Sequence, residues 1–188
     1  MLRHALIQKL SYGLIMGLAV ALTACGSGGG AGGAGGNNSG SLTTKNLRIE
    51  AGPNATQDAL SAFYQAAPCT VIEFGEGTFN LETTLIVVDT ECVTIKGQGR
   101  DKTILNFAGS DSREGILASH VKGIIIEHLT VLNTPGDAIK VSDSTFVTIR
   151  HAKAEWTGLG CTPNKPNCAT NGAYAIYPVL SQHVLVDD

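Results

Sequence analysis

A short phrase of apolar, variable, apolar and charged residues returns four times along this chain. It reads Val93-Thr94-Ile95-Lys96, Ile124-Ile125-Ile126-Glu127, Val147-Thr148-Ile149-Arg150 and Val184-Leu185-Val186-Asp187. The copies are about 31, 23 and 37 residues apart, within the roughly 20–50-residue period of stacked repeats. Alternation with period two puts Val93, Ile124, Val147 and Val184 on one side of their strands, with Ile95, Ile126, Ile149 and Val186 beside them. A second β-like run recurs out of phase with the first, in Glu114–Ala118, Asp137–Val141 and Tyr174–Pro178. A repeat of about 23 residues at roughly 3.3 Å per residue holds three short strands and their turns, one coil of a parallel β-helix. The longer spacings are then coils carrying a surface loop. The expected fold is therefore all-β, a single-stranded right-handed parallel β-helix solenoid. Lys96, Glu127, Arg150 and Asp187 would stack with alternating sign, which favours that register.

Helical spacing interrupts the β pattern once. Ala59, Leu60, Phe63, Ala66 and Ala67 recur at that spacing between Thr56 and Ala67, after Asn54 and before Pro68. An amphipathic helix there would cap the exposed N-terminal end of the stack. Val184 to Asp188 enter a new coil without a cap, so the sequence reads as a fragment, truncated at its C-terminal end, or as a chain whose open last coil docks a second exported protein.

The first 45 of the 188 residues follow neither pattern. Residues 1–25 combine Arg3 and Lys9 with the apolar stretch Leu14–Leu22, too short for a comfortable membrane span and suited to an export signal. The ending Leu22-Thr23-Ala24-Cys25 resembles the lipobox of bacterial lipoproteins, which implies acylation of Cys25 and a membrane anchor. Gly26 in place of an aspartate implies the outer membrane by the same resemblance. Residues 26–45 form a glycine-rich tether, which leaves 46–188 for the β-helix domain. The net charge of −3, with scattered Lys and Arg, argues against nucleic acid as a partner.

Export permits disulfides. Cys69 and Cys92 fall about 23 residues apart at matching positions, so stacking would bring their α-carbons within bridging range. Cys161 and Cys168 bracket a loop that a second bridge would close, and a zinc site is the alternative for these four cysteines.

Several further segments carry a family resemblance. They are Gly97-Gln98-Gly99 with Lys102–Leu105, Gly115-Ile116, Asn133–Val141, Glu155-Trp156-Thr157 and Asn171–Val179. Together they resemble exported bacterial parallel β-helix repeat proteins of the pectin-lyase-like type, including lipoproteins. The resemblance covers roughly residues 50–188, implies the right-handed β-helix, and implies no established activity.

Candidate chemistry is sparse. Glu114 and Asp137 match in register, and two such carboxylates would share a proton or hold a cation, calcium being the natural one. His128 and His151 also match, with Asp188 at the equivalent place, a stack suited to a metal or to acid–base chemistry. Solvated corner positions are the alternative for all five. Trp156, Tyr174 and Tyr177 flank the cysteine-bracketed loop and suit the apolar faces of sugars. The leading expectation is a lipid-anchored extracytoplasmic protein that binds a polysaccharide or another envelope component. A calcium-dependent lyase or epimerase acting on uronic-acid polysaccharides, and a structural partner docking through the last coil, are the alternatives.

Overall fold

The computed structural model describes residues 44–158 and 172–188. In chain order the elements are β1 (Lys45–Ile49), α1 (Ala55–Tyr64), β2 (Thr70–Phe74), β3 (Gly77–Asn80), β4 (Leu85–Val88), β5 (Glu91–Lys96) and β6 (Thr103–Asn106). They continue as β7 (Ile116–Ser119), β8 (Lys122–Leu132), β9 (Ile139–Ser142), β10 (Thr145–Glu155), β11 (Ile176–Val179) and β12 (Gln182–Asp187).

The strands divide between two sheets, and every pairing is parallel. The larger sheet has eight strands, in the order β1-β2-β5-β8-β10-β12 with β3 and β6 joined at the side. The smaller has four, in the order β11-β9-β7-β4. This overturns the expected class: the chain is not a single-stranded right-handed parallel β-helix but two parallel sheets with one helix, an α/β-like arrangement. The physical reason is that a repeated phrase specifies which segments pair and in what register. It does not specify whether successive strands wind as one solenoid or sort into separate sheets.

The register itself follows the phrase. Val93 pairs with Ile124 and Ile95 with Ile126, Ile124 with Val147 and Ile126 with Ile149, and Val147 with Val184 and Ile149 with Val186. Ile72 extends the second column beneath Ile95. Ile72, Ile95, Ile124, Ile126, Val147 and Ile149 are all buried, at 0–1% exposure. Burying each such side chain contributes about 1.5–3 kcal/mol. In the smaller sheet the inward positions are Leu85, Ile116 and Ile139, continued by the partly buried Ile176. Both sheets contribute to one hydrophobic cluster.

The helix expected between Thr56 and Ala67 forms over Ala55–Tyr64 and buries Ala55, Ala59, Ala62 and Phe63. Phe63 lies 6.3 Å from Phe74, which meets Phe79 edge-on at 5.1 Å. At the other end of the larger sheet, β12 is the edge strand and leaves Val184, Leu185 and Val186 exposed.

The outward charges form a longer ladder than the phrase alone indicated. Arg48, Glu73, Lys96, Glu127, Arg150 and Asp187 occupy successive register positions with alternating sign. Glu73 receives Arg48 Nη1 at 2.6 Å, Lys96 Nζ at 2.9 Å and Gln98 Nε2 at 3.0 Å. The hydrogen bond from Lys96, reinforced by Gln98 and Arg48, holds the Glu73 carboxyl below its ordinary value against the opposing effect of burial. Arg150 Nε donates to Glu127 Oε2 at 2.6 Å.

Candidate functional site

The outer face of the four-stranded sheet gathers most of the chemistry that the sequence scattered. Alternation sends Leu85, Ile116 and Ile139 inward, so Ile86, Leu117, Lys140 and Tyr177 form a column on the opposite face. Val88, Ser119, Ser142 and Val179 form the next column. Immediately before these strands the backbone remains in register, with Gly115 N–H donating to Asp137 O and Ala138 N–H to Tyr174 O. Glu114, Asp137 and Tyr174 therefore stand in a third column beside the Leu117–Lys140–Tyr177 set.

Lys140 is the centre of this group. Its ammonium lies 3.7 Å from Glu114 Oε1, 4.0 Å from Asp137 Oδ2 and 5.9 Å from the centroid of the Tyr177 ring. Tyr177 in turn stacks with Tyr174, with centroids 4.6 Å apart and planes 23° from parallel. Tyr174 is 57% exposed, so an open aromatic surface crowns a pair of carboxylates already neutralised in part by a lysine. Asp137 is only 7% exposed and meets the cation at the rim of the buried layer.

Glu114 and Asp137 meet at this point of the sheet. The two carboxylates do come to neighbouring positions, but the positive charge between them is the Lys140 side chain. Among the described residues, no three His, Cys, Asp or Glu side chains converge as a metal would require. Lys140 was not singled out from the sequence. Its signal was its outward place in the run Asp137–Val141, three residues after Asp137.

A hydroxyl chain continues along the face. Ser142 Oγ donates to Ser119 Oγ at 2.9 Å, and Ser119 Oγ lies 3.0 Å from His120 Nδ1. These groups extend the polar lining past the tyrosines.

The remaining candidates lie elsewhere. Trp156 is not part of the tyrosine platform: its Nε1–H donates to Thr134 O at 2.7 Å, and the ring packs against the core. The backbone at Gly172 approaches its indole so closely that a Cβ there would collide with the ring. His128 and His151 stack at 4.9 Å with planes 21° apart, both at bends with positive φ, and His128 Nε2 lies 4.0 Å from Glu127 Oε2. Asp188 pairs with Arg100. Cys69 and Cys92 sit at disulfide distance with α-carbons 4.3 Å apart. Cys25, Cys161 and Cys168 lie outside the described residues, as do the export signal and all but the last two residues of the tether. Among the described residues no helix is long and apolar enough to cross a membrane.

No known protein family matches this chain, and neither does any curated protein or solved structure.

Proposed function

We propose that this chain is an exported, lipid-anchored protein that binds a polysaccharide of the cell envelope through the outer face of its four-stranded sheet. The observation that carries the reading is the stacked pair Tyr174–Tyr177 beside Lys140, Glu114 and Asp137. Sugar rings present apolar C–H faces and polar edges. The aromatic rings match the faces, carboxylates accept hydrogen bonds from hydroxyl groups, and the ammonium donates to ring and hydroxyl oxygens. A parallel sheet repeats these groups at about 4.8 Å from strand to strand, so a linear polymer meets more than one row at once. The paired Cys69 and Cys92 suit an oxidising compartment, and the lipobox-like Leu22–Cys25 supplies the anchor.

Affinity electrophoresis in gels containing a neutral glucan, pectate or alginate tests this reading. The protein is expected to be retarded by at least one polymer, and Tyr177→Ala should relieve most of that retardation while leaving the circular dichroism spectrum unchanged. Equal retardation of the variant would overturn the assignment of the face. Calcium-dependent release of unsaturated sugar from pectate or alginate would instead establish a lyase.

A further inference from the structure

A second site lies on the larger sheet, where one side chain is missing from a column that is otherwise filled. Cys69, Cys92, Gly123, Phe146 and His183 occupy equivalent bends that precede the buried phrases, as the flanking pairs Val71–Thr94, Glu91–Lys122, Val93–Ile124, Thr145–Lys122 and Thr145–Gln182 require. All five have positive φ, between 53° and 79°. Four of them project side chains. Cys69 joins Cys92, and Phe146 stacks on His183 with centroids 4.8 Å apart and planes 9° from parallel. Gly123 alone projects nothing, and a Cβ built there would meet only Cys92 backbone atoms at 3.7 and 3.8 Å.

The result is a slot one residue thick, part of an open groove of about 470 Å³. Its walls are Cys92 and the 55%-exposed ring of Phe146, its floor is Gly123, and Ile125 lies alongside between Thr94 and Thr148. Adjacent strands are about 4.8 Å apart, so the position vacated at Gly123 accepts a flat ring at the same spacing that separates Phe146 from His183. A sulfur on one side and an aromatic face on the other both favour an aromatic ring.

The mouth of the slot carries one charge of each sign. Glu91 and Lys122 are register partners, yet among the described residues neither side chain makes an ion pair or hydrogen bond. We infer that the Gly123 slot binds a free aromatic α-amino acid, with its ring between Cys92 and Phe146, its carboxylate toward Lys122 and its ammonium toward Glu91. The site is separate from the tyrosine face and does not depend on polysaccharide binding.

Titration of the full chain with L-phenylalanine, followed through the methyl resonances of Ile125, tests the inference. Saturable upfield shifts are expected, with 3-phenylpropionate and phenethylamine at least fivefold weaker because each lacks one charge. Gly123→Phe should fill the slot and abolish binding. Residues with side chains already hold this bend at Cys92 and Phe146, so the variant is expected to keep its circular dichroism spectrum. Should it not fold, Phe146→Ala carries the test with an expected loss of at least tenfold. Absence of saturable shifts, retention of binding in folded Gly123→Phe or in Phe146→Ala, or equal affinity for 3-phenylpropionate would overturn the inference. So would equal affinity for the peptide Ala-Phe-Ala, which would assign the slot to a protein partner.

Discussion

Replacing both Cys69 and Cys92 by serine isolates what their covalent link contributes. The two residues are 23 apart in sequence and link the bend just before β2 to β5. Closing a loop of that length removes roughly 11 cal/mol/K from the unfolded chain, which corresponds to about 3.4 kcal/mol at 25 °C. Serine keeps the size of the side chain and holds the same positive φ at both bends, so backbone strain largely cancels between the two proteins. Neither substitution touches the buried column of Ile72, Ile95, Ile126 and Ile149, so the native contacts persist. Substitution is preferable to a reducing agent because it leaves Cys161 and Cys168 unaltered. The assay is urea unfolding followed by far-ultraviolet circular dichroism. With a slope of about 1.5–2 kcal/mol/M, the midpoint should fall by roughly 2 M. A midpoint within about 0.5 M of the parent would refute the reasoning, because the link would then not constrain the unfolded chain. Peptide mapping that joined Cys69 to Cys161 or Cys168 would refute it more directly.

Three other outcomes follow from particular contacts. Lys140→Met leaves Glu114 and the nearly buried Asp137 without their shared cation, and should lower stability by about 1–3 kcal/mol, read as a drop in melting temperature; an unchanged melt would contradict the pairing. Glu73 is held below its ordinary pKa by Lys96, Gln98 and Arg48, so its contribution is complete above the unfolded-state value and is lost as pH falls through the depressed folded value. Glu73→Gln should therefore flatten the acid limb of a stability–pH curve, and an identical limb would exclude this network as its source. Gly97→Ala drives a Cβ into His128 O, with Thr103 Cβ at 2.6 Å, and should cost about 1–3 kcal/mol in urea unfolding through overpacking; a neutral effect would mean the turn yields more easily than its contacts suggest.

The sequence revealed pairing more clearly than architecture. Valine and isoleucine at matched phrase positions identified which strands lie side by side, because a one-residue slip would expose every buried aliphatic. The same pattern brought Cys69 beside Cys92 and aligned Lys96, Glu127, Arg150 and Asp187. It did not distinguish a solenoid from two parallel sheets, since both satisfy identical local pairings. Arg48 and Glu73 carry no such signal because β1 and β2 lack the full four-residue phrase. At the candidate site, Glu114, Asp137, Tyr174 and Tyr177 were visible as residue types, but Lys140 gained meaning only once its ammonium was seen among them. Trp156, a sugar-face candidate by residue type and position, has its N–H bonded to Thr134 O and its ring packed against the core. Gly123 carried no signal at all, since a vacancy in a column shows only after its neighbours are known.

Hydrogen–deuterium exchange with and without the retarding polysaccharide tests the central claim most directly. Bound polymer should slow exchange in Asp137–Ser142 and Tyr174–Val179, and Tyr177→Ala should abolish that protection. Protection confined to the larger sheet, or none at a polymer concentration that saturates binding, would contradict it.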